Sequence, residues 1–196
     1  MRQELKRGFL MMVVMTVLTG LVYPGIVTAL SQALFPDQAN GSLVTVDGRV
    51  IGSRLVGQNF AKPQYFHPRP SAAGSGYDPM ASGGSNLGPT SAKLIDRVKT
   101  SVEQYRRENP GWAGPIPADA VTTSASGLDP HISPANADIQ AARVAQARGV
   151  PIDRVRALVA EYTNGRTLGI LGDPRVNVLD LNLALDRRFS RSPASR

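Results

Sequence analysis

The sequence predicts an α+β protein built as one N-terminal transmembrane helix followed by a single compact extracytoplasmic α+β domain. Three observations carry that expectation. One long apolar run near the start holds no charge, the basic residues beside it fall on one side only, and the rest of the chain alternates turn-rich stretches with amphipathic helical ones.

The apolar run comes first. No charged residue lies between Gly8 and Pro36, and "FLMMVVMTVLTGLVYPGIVTAL", Phe9 to Leu30, is almost wholly apolar. As a helix, about 22 residues at about 1.5 Å each reach about 33 Å, enough for a hydrocarbon core of about 30 Å. Thr16, Thr19 and Thr28 can return their hydroxyls to the helix backbone, and Pro24-Gly25 is a place for a kink, which membrane helices tolerate. A cleaved leader is the alternative, since "SQA" at Ser31 to Ala33 loosely fits a small-x-small site. The run exceeds an ordinary leader core and carries a proline in its middle, which favours a retained anchor. Arg2, Lys6 and Arg7 precede the run, whereas the next basic residue is Arg49. By the positive-inside rule the N-terminus is cytoplasmic. The expected organisation is therefore residues 1–8 inside the cytoplasm, 9–34 in the membrane, 35–186 as the outer domain, and 187–196 as a basic tail.

Composition narrows the classes. The absence of cysteine removes disulfides and thiolate chemistry despite an oxidising location. A net charge of +7 ordinarily raises nucleic acid as a partner. Here the arginines are scattered, aromatics are few, and the domain is placed outside the cytoplasm, so nucleic acid is excluded.

Within the outer domain, "VTVDGRVI" sets Asp47-Gly48 between alternating apolar residues, a hairpin signal. Residues 62–90 are dense in Pro, Gly and Ser without periodicity, an irregular segment of a length that compact domains use for function or leave disordered. Tyr65, Phe66 and Tyr77 argue that it is pinned. A helix capped by Thr90 or Ser91 follows, with Leu94, Ile95, Val98, Val102 and Tyr105 on one face and Pro110-Gly111 as its stop. "VTTSASGLDPHISP" reads as a strand entering a turn. Ser133 then caps a helix over 134–148 with Pro134 at its first position and Gly149 at its end. Another helix covers about 152–163, with Val155, Leu158, Val159 and Tyr162 inward. A short strand at Val176 to Val178 leads into a last helix.

Does any of this carry chemistry? "SGGSN" (Ser82, Gly83, Gly84, Ser85, Asn86) resembles the serine-glycine-glycine core of the transporter-ATPase signature motif, so these five residues are the ATP-contact candidates. A Walker A loop needs a Lys directly after its last Gly. Ser85 stands there instead, which favours a structural loop. His67 and His131 are the only histidines, with Ser71, Ser126, Asp78 and Asp129 near them in sequence. No serine sits in G-x-S-x-G or at S-x-x-K spacing, and two separated histidines without cysteine make a poor zinc set. A spatial triad stays open as the basis of a membrane-anchored extracytoplasmic hydrolase, which is the rival to an interaction role. Asp78-Pro79 and Asp129-Pro130 read as turn starters.

Four segments then occur in order behind one span: "GQNFAKPQYFHPRPSA" (57–72), "SGGSNLGP" (82–89), "ASGLDPHISP" (125–134) and "PRVNVLDLNLALD" (174–186). Together they closely resemble the C subunit of the Kdp-type potassium-transporting ATPase over essentially the whole chain. Two departures are Pro68 after His67, where glycine is expected in some relatives, and the Arg-rich tail after Asp186. The resemblance implies a non-catalytic subunit of a high-affinity potassium pump. Its partners would be an ATP-hydrolysing P-type subunit, a channel-like potassium-binding subunit and a small single-span subunit, in the cell inner membrane with its lipid. The complex would handle ATP and potassium, with no cofactor bound by this chain itself. The resemblance also implies a catalytic chaperone that raises the pump's ATP affinity, which sits awkwardly with a domain outside the cytoplasm. Bracing through Gly20, Gly25 and Ala29 and capping of the potassium entrance by the 62–90 loop are the expected roles. Phe60, Tyr65, Phe66, Arg69, Asp129 and His131 are the partner-interface candidates, since aromatics and Arg concentrate binding energy.

Overall fold

The computed structural model describes residues 1–189; the greater part of the basic tail, residues 190–196, lies outside the described residues. The chain divides into two compact units, Met1–Ile51 and Gly52 onward.

In the first unit one continuous helix runs from Arg2 to Leu34, long and apolar enough to cross a bilayer. It has three parts: α1 (Arg2–Val17), a π turn (Leu18–Val22) and α2 (Tyr23–Leu34). Pro24 explains the middle part. Proline lacks an N–H, and its ring crowds the carbonyl four residues back, at Gly20. The hydrogen-bond ladder accommodates both by widening by one residue. The irregularity expected at Pro24-Gly25 thus takes the form of a π turn just ahead of it. Thr19 returns its hydroxyl to Met15 O at 2.7 Å, as expected for a threonine in an apolar helix. A short helix α3 (Pro36–Ala39) leads to the hairpin β1 (Leu43–Val46) and β2 (Arg49–Ser53). Asp47 (φ 50°) and Gly48 (φ 77°) are both left-handed, the backbone of a type I′ turn, as "VTVDGRVI" predicts.

The second unit is α+β. A three-stranded antiparallel sheet has β5 (Arg175–Asn177) between β3 (His131–Ile132) and β4 (Thr163–Asn164), with Val176 opposite both Ile132 and Thr163. Helices α5 (Pro134–Arg148), α6 (Ile152–Glu161) and α7 (Val178–Arg188) pack together beside it. Phe66, Ile132, Leu158, Val176, Leu181 and Leu185 are the large side chains sealed in their shared core. A smaller cluster of Ala120, Val121 and Ile139 receives Val98, Val102 and Tyr105 from α4 (Ala92–Glu108).

Capping of α5 follows the sequence, while Ser91, an expected cap of α4, makes no side-chain cap hydrogen bond. Ser133 Oγ accepts from Asn136 N, Pro134 opens α5, and Gly149 closes it in the left-handed region at φ 67°. Asn177 Oδ1 accepts from Asp180 N at the start of α7. Two further expectations are corrected. Ile95, assigned to the inner face of α4, is 47% exposed because the cluster that α4 packs on reaches only as far as Val98. The strand expected at "VTT" is absent. Val121 N and Thr122 N both donate to Ala118 O, so the local turn takes the donors a strand would need.

Gly149 has open space where a Cβ would go, so only its backbone angle demands glycine. Gly149→Ala is expected to lower the Tm of the detergent-solubilised chain by about 2–4 °C, the effect of about 1 kcal/mol, with Gly149→Asn recovering most of it. An unchanged Tm for Gly149→Ala contradicts the cap.

Candidate functional site

The long irregular segment is held by buried carboxamides. Asn182, from the middle of α7 and 1% exposed, accepts from Phe66 N at 2.8 Å and donates to Phe66 O at 3.0 Å. Gln140, from α5 and 2% exposed, does the same to the next residue: Oε1 accepts from His67 N at 2.7 Å and Nε2 donates to His67 O at 3.1 Å. Each side-chain amide thereby acts as one rung of a β-ladder. The backbone of 66–67 can lie in the core without a strand beside it, because its polar groups are satisfied.

Around these clamps the polar face of α5 completes the grip. Arg143 donates to Pro63 O and Tyr65 O at 2.7 and 3.0 Å, and Arg148 donates to Gln64 O at 2.8 Å. Arg148 also bonds Asp186 and lies over the Tyr65 ring, 5.1 Å from its centroid, while the Tyr65 hydroxyl donates to the same carboxylate. Asn136 links Tyr105, Gln140 and Asp119 into this network.

A cleft of about 420 Å³ opens between the segment and α4, lined by His67, Tyr77, Tyr105 and Glu108 among others. His67 Nδ1 is 3.0 Å from Glu108 Oε2, and Nε2 is 3.1 Å from Lys62 O and 3.3 Å from Arg143 Nη1. The hydrogen bond to His67 holds the Glu108 carboxyl below its ordinary value, with burial opposing. Burial pushes the Tyr77 hydroxyl up to about 12 and raises Tyr105 as well, the nearby Asp119 adding to the latter. Both tyrosines are therefore protonated donors at neutral pH, to Arg69 O and Asn136 Oδ1 respectively.

The remaining loops close on one another. Asp129 Oδ2 accepts from Arg69 at 2.9 Å, and Oδ1 accepts from His131 N at 3.0 Å with His131 Nδ1 3.4 Å away. Burial opposes ionisation of Asp129, but the bonds from His131 and Arg69 outweigh it and bring the carboxyl down to about 2. Ser71 Oγ donates to Gly127 O and accepts from Ala73 N and Tyr77 N. Gly127 sits at φ 66°, and a Cβ there would meet Ala73 N and Gly83 O at 2.7 Å.

The "SGGSN" residues belong to this closure. Gly83 N donates to Ser126 O at 2.8 Å, and Ser82 Oγ donates to the same carbonyl at 3.1 Å. A Cβ on Gly84 would meet Ala125 O at 3.0 Å, Ser85 Oγ accepts from Arg97, and Asn86 takes φ 50°. A phosphate cradle needs converging free N–H groups, whereas the Gly83 donor is committed to the neighbouring loop.

The other singled-out residues fall as follows. Gly20 lies in the π turn, and Gly25 and Ala29 follow one turn apart on α2; a Cβ added at either glycine would meet no atom within 4 Å. Phe60 packs partly against the core, its ring 5.6 Å from that of Tyr65. Phe66 is corrected as an interface candidate: it is 0% exposed and belongs to the core. Arg69, Asp129 and His131 pair with one another. Among the described residues no serine hydroxyl bonds either histidine, and no group of three His, Asp or Glu could hold a metal ion. The clamp residues Asn136, Gln140, Arg143 and Asn182 do not announce themselves in the sequence. Their signal is a polar stripe at spacings of four and three on α5, and one Asn inside the apolar run "LNLAL".

The structure defines an α+β protein with one N-terminal helix long and apolar enough to cross a membrane, followed by a compact domain. The comparisons with known proteins name the family. The family model for KdpC, the c chain of K+-transporting ATPases, matches residues 5–187, and the chain belongs to that family. The Potassium-transporting ATPase KdpC subunit of Myxococcus xanthus is 64% identical over 182 residues, covering 92% of this chain and 86% of that protein. Those of Koribacter versatilis and Gemmatimonas aurantiaca are 57% and 55% identical, covering 95% and 100% of this chain and 95% and 98% of those proteins.

Asn182→Ala strips both partners from the buried Phe66 peptide, and a loss of about 2–4 kcal/mol, or about 5–12 °C in Tm, is expected. A loss under about 1 °C contradicts the clamp. Asp129 supplies the acid test. Its folded value lies below the ordinary 3.8, so its contribution is complete above about pH 4 and disappears as the pH falls toward about 2. The urea midpoint is expected to drop between about pH 5 and about pH 2.5 more steeply in the native chain than in Asp129→Asn; equal slopes contradict the pairing.

Proposed function

We propose that this chain is a non-catalytic accessory subunit of an ATP-driven potassium uptake pump in the cell inner membrane. Its N-terminus is cytoplasmic and its domain extracytoplasmic, where it supports assembly and braces the potassium entrance. Its partners are the ATP-hydrolysing P-type subunit, the channel-like potassium-binding subunit and the small single-span subunit. The observation that carries this reading is the internal commitment of four positions that resembled chemistry, His67, Ser71, Gly83 and Asp129. Both nitrogens of His67 have partners, Asp129 is held by Arg69, Ser71 is triply bonded, and the Gly83 N–H is donated to Ser126 O. A domain so wired offers a shaped surface to a partner, which supports the interaction role over the hydrolase alternative.

Any effect on ATP then passes through the membrane as a coupling free energy: the chain binds pump states with different affinity and shifts their balance. This is the form in which the catalytic-chaperone role is compatible with a domain outside the cytoplasm.

The purified chain alone is expected to hydrolyse neither ATP nor ester substrates, while omitting it from the pump raises the KM for ATP about tenfold, within the usual range of such couplings. Robust hydrolysis by the chain alone overturns the reading. Protease added to intact spheroplasts is expected to digest the domain, and protection until lysis would reverse the proposed orientation.

A further inference from the structure

The connection from β4 to β5 leaves the domain as an apolar finger. Thr167 and Leu171 exchange both backbone hydrogen bonds at 2.9 Å, closing a three-residue tip. Leu168, Ile170 and Leu171 are 85%, 75% and 56% exposed. Of the seven large hydrophobic residues exposed among the described residues from Gly52 onward, three fall within these four positions. Scattered single residues of this kind need no explanation, but a cluster does.

The backbone makes the cluster more informative. Leu168 (φ 55°) and Gly169 (φ 78°) are both left-handed, the geometry of a turn that ordinarily selects Asn, Asp or Gly at its first position. A leucine there is strained by roughly 1–2 kcal/mol, and its side chain gains no burial within the domain in return. Two further donors, Gly169 N to Arg166 O and Ile170 N to Thr167 O, tie the tip. The finger is therefore held in shape before anything meets it, which lowers the entropy lost on docking.

Charge decides between lipid and protein as the occupant. From Thr163 to Arg175 there are two arginines, one aspartate and no aromatic residue. Arg166 lies 3.4 Å from Asp173, leaving a net charge of one. Surface-seeking segments carry several Lys or Arg and interfacial Trp or Tyr, whereas this one carries a single net positive charge and no aromatic ring. Three aliphatic side chains on a tied turn suit a preformed hole. From these observations we infer that Leu168, Ile170 and Leu171 form a knob that enters an apolar recess, rimmed by acidic or carbonyl oxygens, on another subunit of the same ATPase. The inference rests on the accessory-subunit reading and adds the site through which it is exercised. Such a patch is smaller than the about 800 Å² per partner of a stable interface, so it acts as an anchor within a wider contact.

The test uses the assembled ATPase in its own membranes. A benzophenone side chain replaces Ile170, and after irradiation the adduct is identified by mass; in parallel, Leu168→Asp/Ile170→Asp chains are pulled down. The expected results are an adduct with a different subunit of the ATPase, and recovery of that subunit reduced about tenfold or more. The Tm of the double-variant chain alone should be unchanged or slightly raised, because the tip is exposed and Asp tolerates the left-handed backbone better than Leu, and the conservative Ile170→Leu should recover normally. An adduct with lipid only, with a second copy of this chain, or with nothing overturns the inference. So does undiminished recovery of the double variant, whatever the adduct. If the native chain co-purifies and the variant does too, the knob alone is wrong; if the native chain itself fails to co-purify with any pump subunit, the accessory-subunit reading falls and takes the knob with it.

Discussion

Two side-chain amides hold the domain's longest irregular segment to its helices. Asn182 and Gln140 each receive an N–H from, and return an N–H to, one of two consecutive residues, Phe66 and His67. Without them the Phe66 side chain could not be sealed in the core, because its own backbone would be buried with unmet hydrogen bonds, at about 1–3 kcal/mol for each group. Everything downstream inherits that placement. Arg69, two residues on from His67, donates to Asp129, and the Tyr77 hydroxyl donates back to Arg69 O. Glycines at 84 and 127 then let the later loops close against one another.

Much of this is legible from local chemistry. The Asp47-Gly48 turn, the Ser133–Pro134 start, the Gly149 stop and the strand-to-helix switch after Val176 all follow from backbone preferences that act within a few residues. Sequence and structure part where tertiary contacts decide. "VTT" has strand propensity, yet its donors go to Ala118 O. Ile95 has the right spacing for the inner face of α4, but no partner surface extends to it. The clamps are hidden for a similar reason. Their partners are 116 and 73 residues away, and an Asn in "LNLAL" states that a polar bond exists without saying with whom. Phe66 illustrates the same limit from the apolar side: an aromatic in a Pro-rich loop suits a core plug as well as a binding anchor, and only the fold distinguishes them.

For function, the consequence is a division of labour along the chain. In the proposed role the Arg2–Leu34 helix supplies attachment, with a π turn just ahead of Pro24 and small residues that would allow close helix approach. The clamped segment supplies a rigid surface whose polar groups are committed inward. The β4–β5 finger supplies apolar side chains committed to nothing inside the domain. This distribution suits the proposed role of a subunit that acts by contact.

The rigidity of the clamped segment is the claim on which that division depends. Residue-resolved hydrogen–deuterium exchange of the detergent-solubilised chain at neutral pH measures it directly. If the carboxamides hold, the Phe66 and His67 amides exchange as slowly as those in the middle of α5, through global opening only, although they lie in a segment without regular secondary structure. Exchange of these two amides at the rate of the exposed end of the loop would show that the clamps do not hold it, and the rest of the structural explanation would fall with them.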